Sequence, residues 1–228
     1  MSAPVSVVIP TLDAAAEIGP CLAALTEGVA EGVVGEVILA DGGSGDDIAA
    51  VADGTGARLV EAERGRGTQL RTGVEAARGA WLLVLHADTV LPAGWSGAVA
   101  AHMAHHPEKA AHFGLAFDEG TFPARLVAGW ANLRSALFAL PYGDQGLLIP
   151  RPLHDRVGGY PAIPLMEDVA IVRTIGRRRL RRLAPCAVTS AARYRRQGWM
   201  RRGWRNLSTL GLWFLGVPPE RLAERYRR

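Results

Sequence analysis

A chain of 228 residues, 49% hydrophobic and 21% charged, carries enough apolar material for a sizeable core and is too apolar to be disordered. Its two cysteines, Cys21 and Cys186, lie far apart in apolar surroundings, which argues against a disulfide framework or a zinc cluster and for buried, reduced thiols. The formal charge is only +4, but most arginines gather from Arg173 onward with just Glu220 and Glu224 among them, so an anionic partner is expected: phosphate, diphosphate, nucleic acid or an anionic membrane surface.

The opening MSAPVSVVIP has no basic leader, and no stretch reaches the roughly 20 apolar residues of a membrane-crossing helix. A cytoplasmic protein is expected, with LSTLGLWFLGV (207–217) a packed helix rather than a span. VSVVIP (5–10) is strand-like, and helical spacing follows at Ile18, Leu22 and Leu25. EVILAD (36–41) is a second strand, closed by GGSGDD. A helix over about 48–53 leads to the short strand ARLVEA; then come the loop ERGRG, a helix over about 68–77 and the strand WLLVLH. Continuous apolar strands alternating with helices predict a parallel sheet covered on both faces, with ligands at the C-terminal strand ends. The second half is less regular. AHFGLAF (111–117) reads as a strand, FPARLVAGWANLRSALFAL as a long helix and YGDQGLLIPR as a turn and strand. The loop VGGYPAIP precedes a helix opening at MED, CAVTS is a last strand, and a basic helical end contains GVPP before a final short helix.

Chemistry-bearing residues collect at the strand ends. Pro10, Thr11 and Asp13 follow the first strand, and Asp13 suits either a helix cap or a loop lining a nucleotide. Asp41 and Gly42 close the second strand. Glycine admits a ligand to the backbone and an acid there can accept hydrogen bonds from a base or ribose; a plain turn is the alternative, since neither P-loop nor GxGxxG spacing is present. Arg64, Gly67 and Arg71 suit a diphosphate, or a solvated basic loop. On an extended strand His86 and Asp88, flanking Ala87, point the same way and can face one ion. Asp is a hard ligand for Mg2+ or Mn2+, and His tolerates Mn2+ better. Asp144 and Gln145 sit in one acidic turn. Glu167 and Asp168 sit in another, which serves as a helix cap or as a general base at a cleft. Arg195, Arg196 and Trp199 belong to a run of cations and aromatics that fits nucleic acid, a lid over a nucleotide diphosphate, or a solvated face.

Taken in order, VSVVIPTLDAAAEI, EVILADGGSGD, RGRGTQLRTGVEAARG, VLHADT and the pair GDQGLLIPR and GGYPAIPLMED resemble the family-2 glycosyltransferases of the GT-A fold, over about 5–190. LHADT, PYGDQG, GGYPAIPLMEDV and TSAARYRRQGW further resemble a subgroup of short bacterial transferases found alongside radical-SAM proteins and named for arsenosugar biosynthesis. The resemblance implies an α/β fold with a Rossmann-like, mostly parallel central sheet flanked by helices and a C-terminal helical extension. It implies one domain: a nucleotide-binding half over about 1–90, an acceptor half over about 91–190 and a basic extension over about 191–228. The implied activity moves a sugar from a UDP- or GDP-sugar to an acceptor hydroxyl, with inversion and with Mn2+ or Mg2+.

Carried over by position, Asp41 contacts the base or ribose and Asp88 holds the metal. Asp168 is the general base with Glu167 supporting it, and Arg195, Arg196 and Trp199 lie near an Arg-Trp signature that touches the donor diphosphate. Two positions depart from the family pattern. Ala40 stands where many relatives have a further acid, and His86 replaces the first acid of Asp-x-Asp, where a donor contact or support for Asp88 is the expectation. Expected partners are the nucleotide sugar and a small-molecule or lipid-linked acceptor, with a peripheral membrane contact through the basic helices and a homodimer further possibilities, and no nucleic acid. A sugar-nucleotide nucleotidyltransferase and a non-catalytic nucleotide-sugar or anion binder are the alternatives.

Overall fold

A computed structural model describes residues 3–227. The elements run β1 (Val5–Thr11), α1 (Gly19–Ala30), β2 (Val34–Asp41), α2 (Ile48–Thr55), β3 (Arg58–Glu61), α3 (Arg66–Ala76) and β4 (Trp81–Val84). They continue with β5 (Thr89–Val90), α4 (Trp95–His105), β6 (Ala110–Phe117), α5 (Phe122–Phe138), β7 (Leu147–Pro150), α6 (Arg151–Arg156) and α7 (Glu167–Ile175). β8 (Leu180–Thr189), α8 (Ala192–Gln197), α9 (Trp199–Phe214) and α10 (Pro219–Arg227) complete the chain.

The strands form one eight-stranded sheet in the order β3-β2-β1-β4-β7-β6-β8-β5. β1, β2, β3 and β4 run parallel, and β6 runs parallel to β8. β7 lies antiparallel to both β4 and β6, and β5 antiparallel to β8. Successive strand residues serve opposite faces. Val7, Ile9, Leu39 and Leu83 pack with Ile18, Leu25, Trp95 and Val99 on one side, while Val8, Ile38, Leu82 and Ile149 pack with Leu70, Val74, Val169 and Val172 on the other. This is why β1 is apolar at Val5, Val7, Val8 and Ile9 on both faces, with the buried Ser6 satisfied by donating to Glu36 Oε1 at 2.6 Å; each buried Val or Ile contributes about 1.5–3 kcal/mol relative to exposure.

One expectation needs correction, and two segments take a more definite form. The strand WLLVLH ends at Val84, so His86 and Asp88 do not lie on extended backbone; Thr89 N–H donates to His86 O at 3.1 Å and closes a turn through Ala87 and Asp88. The segment 95–105, not assigned by periodicity, is the helix α4, seated through Trp95 and Val99. The C-terminal helices are basic and packed as expected, with Leu210 and Leu222 joining the second core cluster. Among the described residues no helix is long and apolar enough to cross a membrane.

Cys21 is buried and Cys186 half-buried, both free. Burial, with the nearby charge of Asp88, pushes the Cys21 thiol up to about 12, so it stays protonated.

Gly67 shows how the two halves of the chain meet. A Cβ there would sit 2.3 Å from Pro161 O and 2.5 Å from Ile163 O. Its N–H donates to Ile163 O at 3.2 Å, locking the start of α3 to the loop before α7.

Candidate functional site

The sheet topology brings four loops to one edge. β1 and β4 end there, the chain enters β7 there because Val84 pairs with Leu147, and β8 leaves there because Thr189 pairs with Thr89. A cavity of about 580 Å³ opens at this edge, within the ordinary range for a small-molecule site. Pro10, Thr11, Asp13, Arg64, His86, Ala87, Asp88, Asp144, Asp168 and Arg196, all singled out in the sequence, line it.

The other sequence-selected residues lie elsewhere, each for a definite reason. Asp41 closes its own turn. Its carboxylate accepts from Thr11 Oγ1, Ser44 Oγ and the N–H groups of Gly43 and Ser44, leaving a base or ribose nothing to donate to. Burial pushes the Asp41 carboxyl up, but the hydrogen bonds from Ser44, Thr11 and Gly43 outweigh it and hold the group below its ordinary value. Gly42 packs beneath Gln69 and donates its N–H to Thr11 O. The Gly67 N–H is taken by Ile163 and is not free for a diphosphate. Arg71 points outward, 61% exposed, and pairs with Glu75 at 3.0 Å. Gln145 is fully buried between Ser135 and Phe113 O. Arg195 pairs with Glu119 at 3.0 Å outside the cavity, and Trp199 stacks on Tyr194 at 4.8 Å, bracing that cavity residue from behind.

The acidic pair at the start of α7 divides into two roles. Met166 holds a left-handed conformation (φ 69°), rare for a residue with a side chain and typical of functional turns. After it, Asp168 faces the cavity and its Oδ2 accepts from Gly143 N–H at 2.8 Å. Glu167 turns inward, 1% exposed, and meets Arg66 at 3.6 Å. Burial pushes the Glu167 carboxyl up, reinforced by Asp168 and opposed by Arg66. Glu167 is therefore an anchor for Arg66, not a wall of the cavity.

His86 lies beside this corner. Its Nε2 would be 2.2 Å from a Cβ on Gly143, so a side chain at 143 and an imidazole at 86 compete for the same space. Burial and the cations Arg66 and Arg193 hold His86 well below its ordinary value, against the pull of Asp168, so the ring is neutral.

Arg66 and Gln69 from the Gly- and Arg-rich segment, and Arg193, Tyr194 and Arg202 from the run of cations and aromatics, also line the cavity; reasoning from sequence missed Tyr142, Asn206 and Tyr226. Gln69 Nε2 donates to Thr11 O and Ala40 O, tying the ends of β1 and β2 together. Tyr226 OH donates to Asn206 Oδ1, and Asn206 Nδ2 donates to Tyr194 OH, so α8, α9 and α10 form one hydrogen-bonded wall.

Asp88, Asp144 and Asp168, with Asp13 and Glu17 also in the lining, share the cavity with Arg64, Arg66, Arg193, Arg196 and Arg202. Asp144 Oδ1 is buried without a hydrogen-bond partner. Burial pushes the Asp144 carboxyl up to about 6, with Asp168 and Asp88 adding to the effect against Arg134 and Arg66. Among the described residues no three His, Cys, Asp or Glu side chains gather into a complete ligand set. The arrangement fits a hard divalent cation that takes one or two carboxylates and completes its shell with phosphate oxygens and water, as Mg2+ and Mn2+ do. Asp88 lines the cavity where such an ion could be held, and the unpartnered Oδ1 of Asp144 lies in the same lining.

The raised carboxyl of Asp144 gives a stability prediction. Its folded value of about 6 exceeds the unfolded 3.8, so between these the native chain holds a proton that the unfolded chain releases, and stability falls as pH rises through the window. In metal-free buffer, Asp144→Asn should melt close to wild type near pH 4 and progressively above it toward pH 6, with a constant gap beyond. Melting curves across that range check this, and a pH-independent difference between the two would contradict the assignment.

The profile described as Glycosyl transferase family 2 matches residues 6–161. The PGL/p-HBAD biosynthesis glycosyltransferases of Mycobacterium tuberculosis and Mycobacterium bovis are 37% identical over 171 residues, covering 70% of this chain and 64% of theirs. The chain thus spans less than two thirds of the length of these curated relatives. Among solved structures, the mannosyltransferase PcManGT from Pyrobaculum calidifontis, in complex with GDP-Man and Mn2+, aligns with a TM-score of 0.64 at 21% identity, covering 90% of this chain and 61% of that one. TarS from S. aureus aligns with a TM-score of 0.64 at 14% identity over 91% of this chain and 64% of its own. Glucosyl-3-phosphoglycerate synthase from Mycobacterium tuberculosis, in complex with Mn2+, UDP and glucosyl-3-phosphoglycerate, aligns with a TM-score of 0.57 at 21% identity over 82% and 72%. These likenesses establish the shared GT-A architecture.

Proposed function

The chain belongs to glycosyl transferase family 2, and from that membership we propose that it moves a sugar from a UDP- or GDP-sugar to an acceptor hydroxyl, with inversion and with a divalent cation. The observation that carries the reading is the cavity itself, where Asp88 and Asp168 from two separate loops stand with five arginines at the C-terminal edge of parallel strands. Its neighbours PcManGT and glucosyl-3-phosphoglycerate synthase, solved with GDP-Man or UDP and Mn2+, support the choice of donor and ion.

Bound Mn2+ or Mg2+ supplies positive charge to the donor diphosphate as it departs. Asp88 holds the ion, with Asp144 beside it. Arg64 and Arg66 from one side, and Arg193, Arg196 and Arg202 from the C-terminal helices, neutralise the charge that grows on the leaving nucleoside diphosphate. Asp168, fixed by the Gly143 N–H, receives the acceptor proton. The acceptor oxygen bonds to the anomeric carbon from the face opposite the diphosphate, the bond to the diphosphate oxygen breaks, and the proton remains on Asp168. Glu167 keeps Arg66 in place. His86, neutral and wedged against Gly143, is assigned to the donor sugar or to support of the acidic corner. The acceptor class is a hydroxyl on a small or lipid-linked molecule.

A thermal-shift panel tests this reading. UDP or GDP with Mn2+ should raise the melting temperature more than either component alone, by the equivalent of about 2.7 kcal/mol at a hundred times Kd. No rise with any of UDP, GDP or TDP plus Mn2+ would sink it.

A further inference from the structure

Two adjacent helices turn apolar stripes to solvent. On α5, Phe122, Leu126, Trp130, Leu133 and Leu137 are 48–71% exposed and recur every three or four residues. At 1.5 Å per residue, the 17 residues of α5 carry this stripe for about 25 Å. On α9, Met200, Trp204, Leu207 and Phe214 repeat the pattern, 42–78% exposed. The helices pack against one another, and Arg173 and Arg177, one turn apart, reach Phe214 and Leu137 O, which brings the far ends of the two stripes together. A lone exposed Leu or Phe is ordinary, whereas a row along each of two neighbouring helices marks an interaction surface.

Its charge is one-sided. Neither α5 nor α9 contains an acidic residue. Arg125 on α5 and Arg201 on α9 are exposed. At the far end Arg177 donates to Leu137 O at 3.0 Å and Arg173 lies over the Phe214 ring at 5.0 Å, which sets two further cations beside the ends of both stripes.

From this pairing of stripe and rim we propose that the joined faces of α5 and α9 dock on an anionic lipid surface. The apolar stripes lie in the headgroup region and Arg125, Arg173, Arg177 and Arg201 meet lipid phosphates. A second copy of the chain is disfavoured as the occupant, because a two-fold contact would set this cationic rim against its own counterpart. The docking surface does not depend on the transferase reading. Its consequence does: α9 also sends Arg202 and Asn206 into the cavity, and α5 leads into Tyr142 and Asp144, so docking would hold the cavity beside the bilayer, where a lipid-linked acceptor resides.

The test is co-sedimentation of the full chain with vesicles, without nucleotide. Wild type should partition onto phosphatidylcholine vesicles containing phosphatidylglycerol, less onto phosphatidylcholine alone, and release with rising salt. The double variant Trp130→Glu/Leu133→Glu, and separately Trp204→Glu, should lose at least about tenfold in partitioning, because a charge now enters the apolar layer. Both should keep wild-type melting and whatever nucleotide-induced shift the wild type shows. Absence of wild-type partitioning, or equal partitioning of the variants, overturns the proposal. So does a wild-type dimer that Trp130→Glu dissociates while vesicles stay unbound, which would assign the face to a second copy.

Discussion

Asp168→Asn is expected to lower kcat by about 10²- to 10⁴-fold, the usual contribution of a positioned general base, while leaving the donor KM close to wild type. The substitution is nearly isosteric, and the amide oxygen can still accept the Gly143 N–H, so the contact to Gly143 should persist while the bond from Val169 N–H to the other oxygen is lost. The variant should therefore keep the nucleotide- and Mn2+-dependent melting shift, separating loss of proton transfer from loss of binding. Donor hydrolysis by the wild type, measured by nucleoside diphosphate release without an acceptor, should fall in parallel. Retention of more than about a tenth of wild-type turnover would remove Asp168 from the role of base. Absence of any turnover in the wild type, with binding intact, would favour a non-catalytic binder.

Asp88→Ala should act differently. The Mn2+-dependent part of the melting shift disappears, while the part due to nucleotide alone survives through the arginines. kcat/KM should fall by about a hundredfold or more, since a bound cation contributes several kcal/mol to a departing diphosphate. Titrating Mn2+ against a fixed nucleotide concentration checks this. An Asp88→Ala variant with unchanged Mn2+ dependence would move the ion elsewhere, and Asp144→Asn would then be the substitution to compare.

The donor-side strands were readable because burial on both faces leaves consecutive apolar residues, as in Val7-Val8-Ile9 and WLLV. The helix α4 was not, since WSGAVAAHMAH offers small residues, histidines and no side-chain cap in place of a clear stripe. Strand-end residues such as Thr11 and Asp88 were found because a parallel sheet gathers such ends at one edge. An acid before GGS reads the same whether it binds a ligand or closes its own turn, and in the structure Asp41 accepts four internal hydrogen bonds that no local sequence signal announces.

Helix phase misled the choice of arginines. α3 begins at Arg66, two residues before the expected start, so Arg66 faces the cavity and Arg71 faces water. In ARYRRQ, Arg193 and Arg196 share a face of α8 at i and i+3 while Arg195 points to Glu119, a separation that a helical reading would have made. Tyr226 had no local signal. It reaches the cavity because Leu222 and Ala223 bury α10 against the rest of the chain.

The contact between His86 and Gly143 also restricts the order in which this corner can change over evolutionary time. With the imidazole in place, any residue larger than glycine at 143 meets Nε2, and the N–H that holds Asp168 is displaced with it. An aspartate at 86, the acid of the ordinary Asp-x-Asp pattern, is smaller and releases that restraint. Substitution at 143 should therefore be tolerated better once the histidine is gone, and the two sites should be epistatic in a library that varies both.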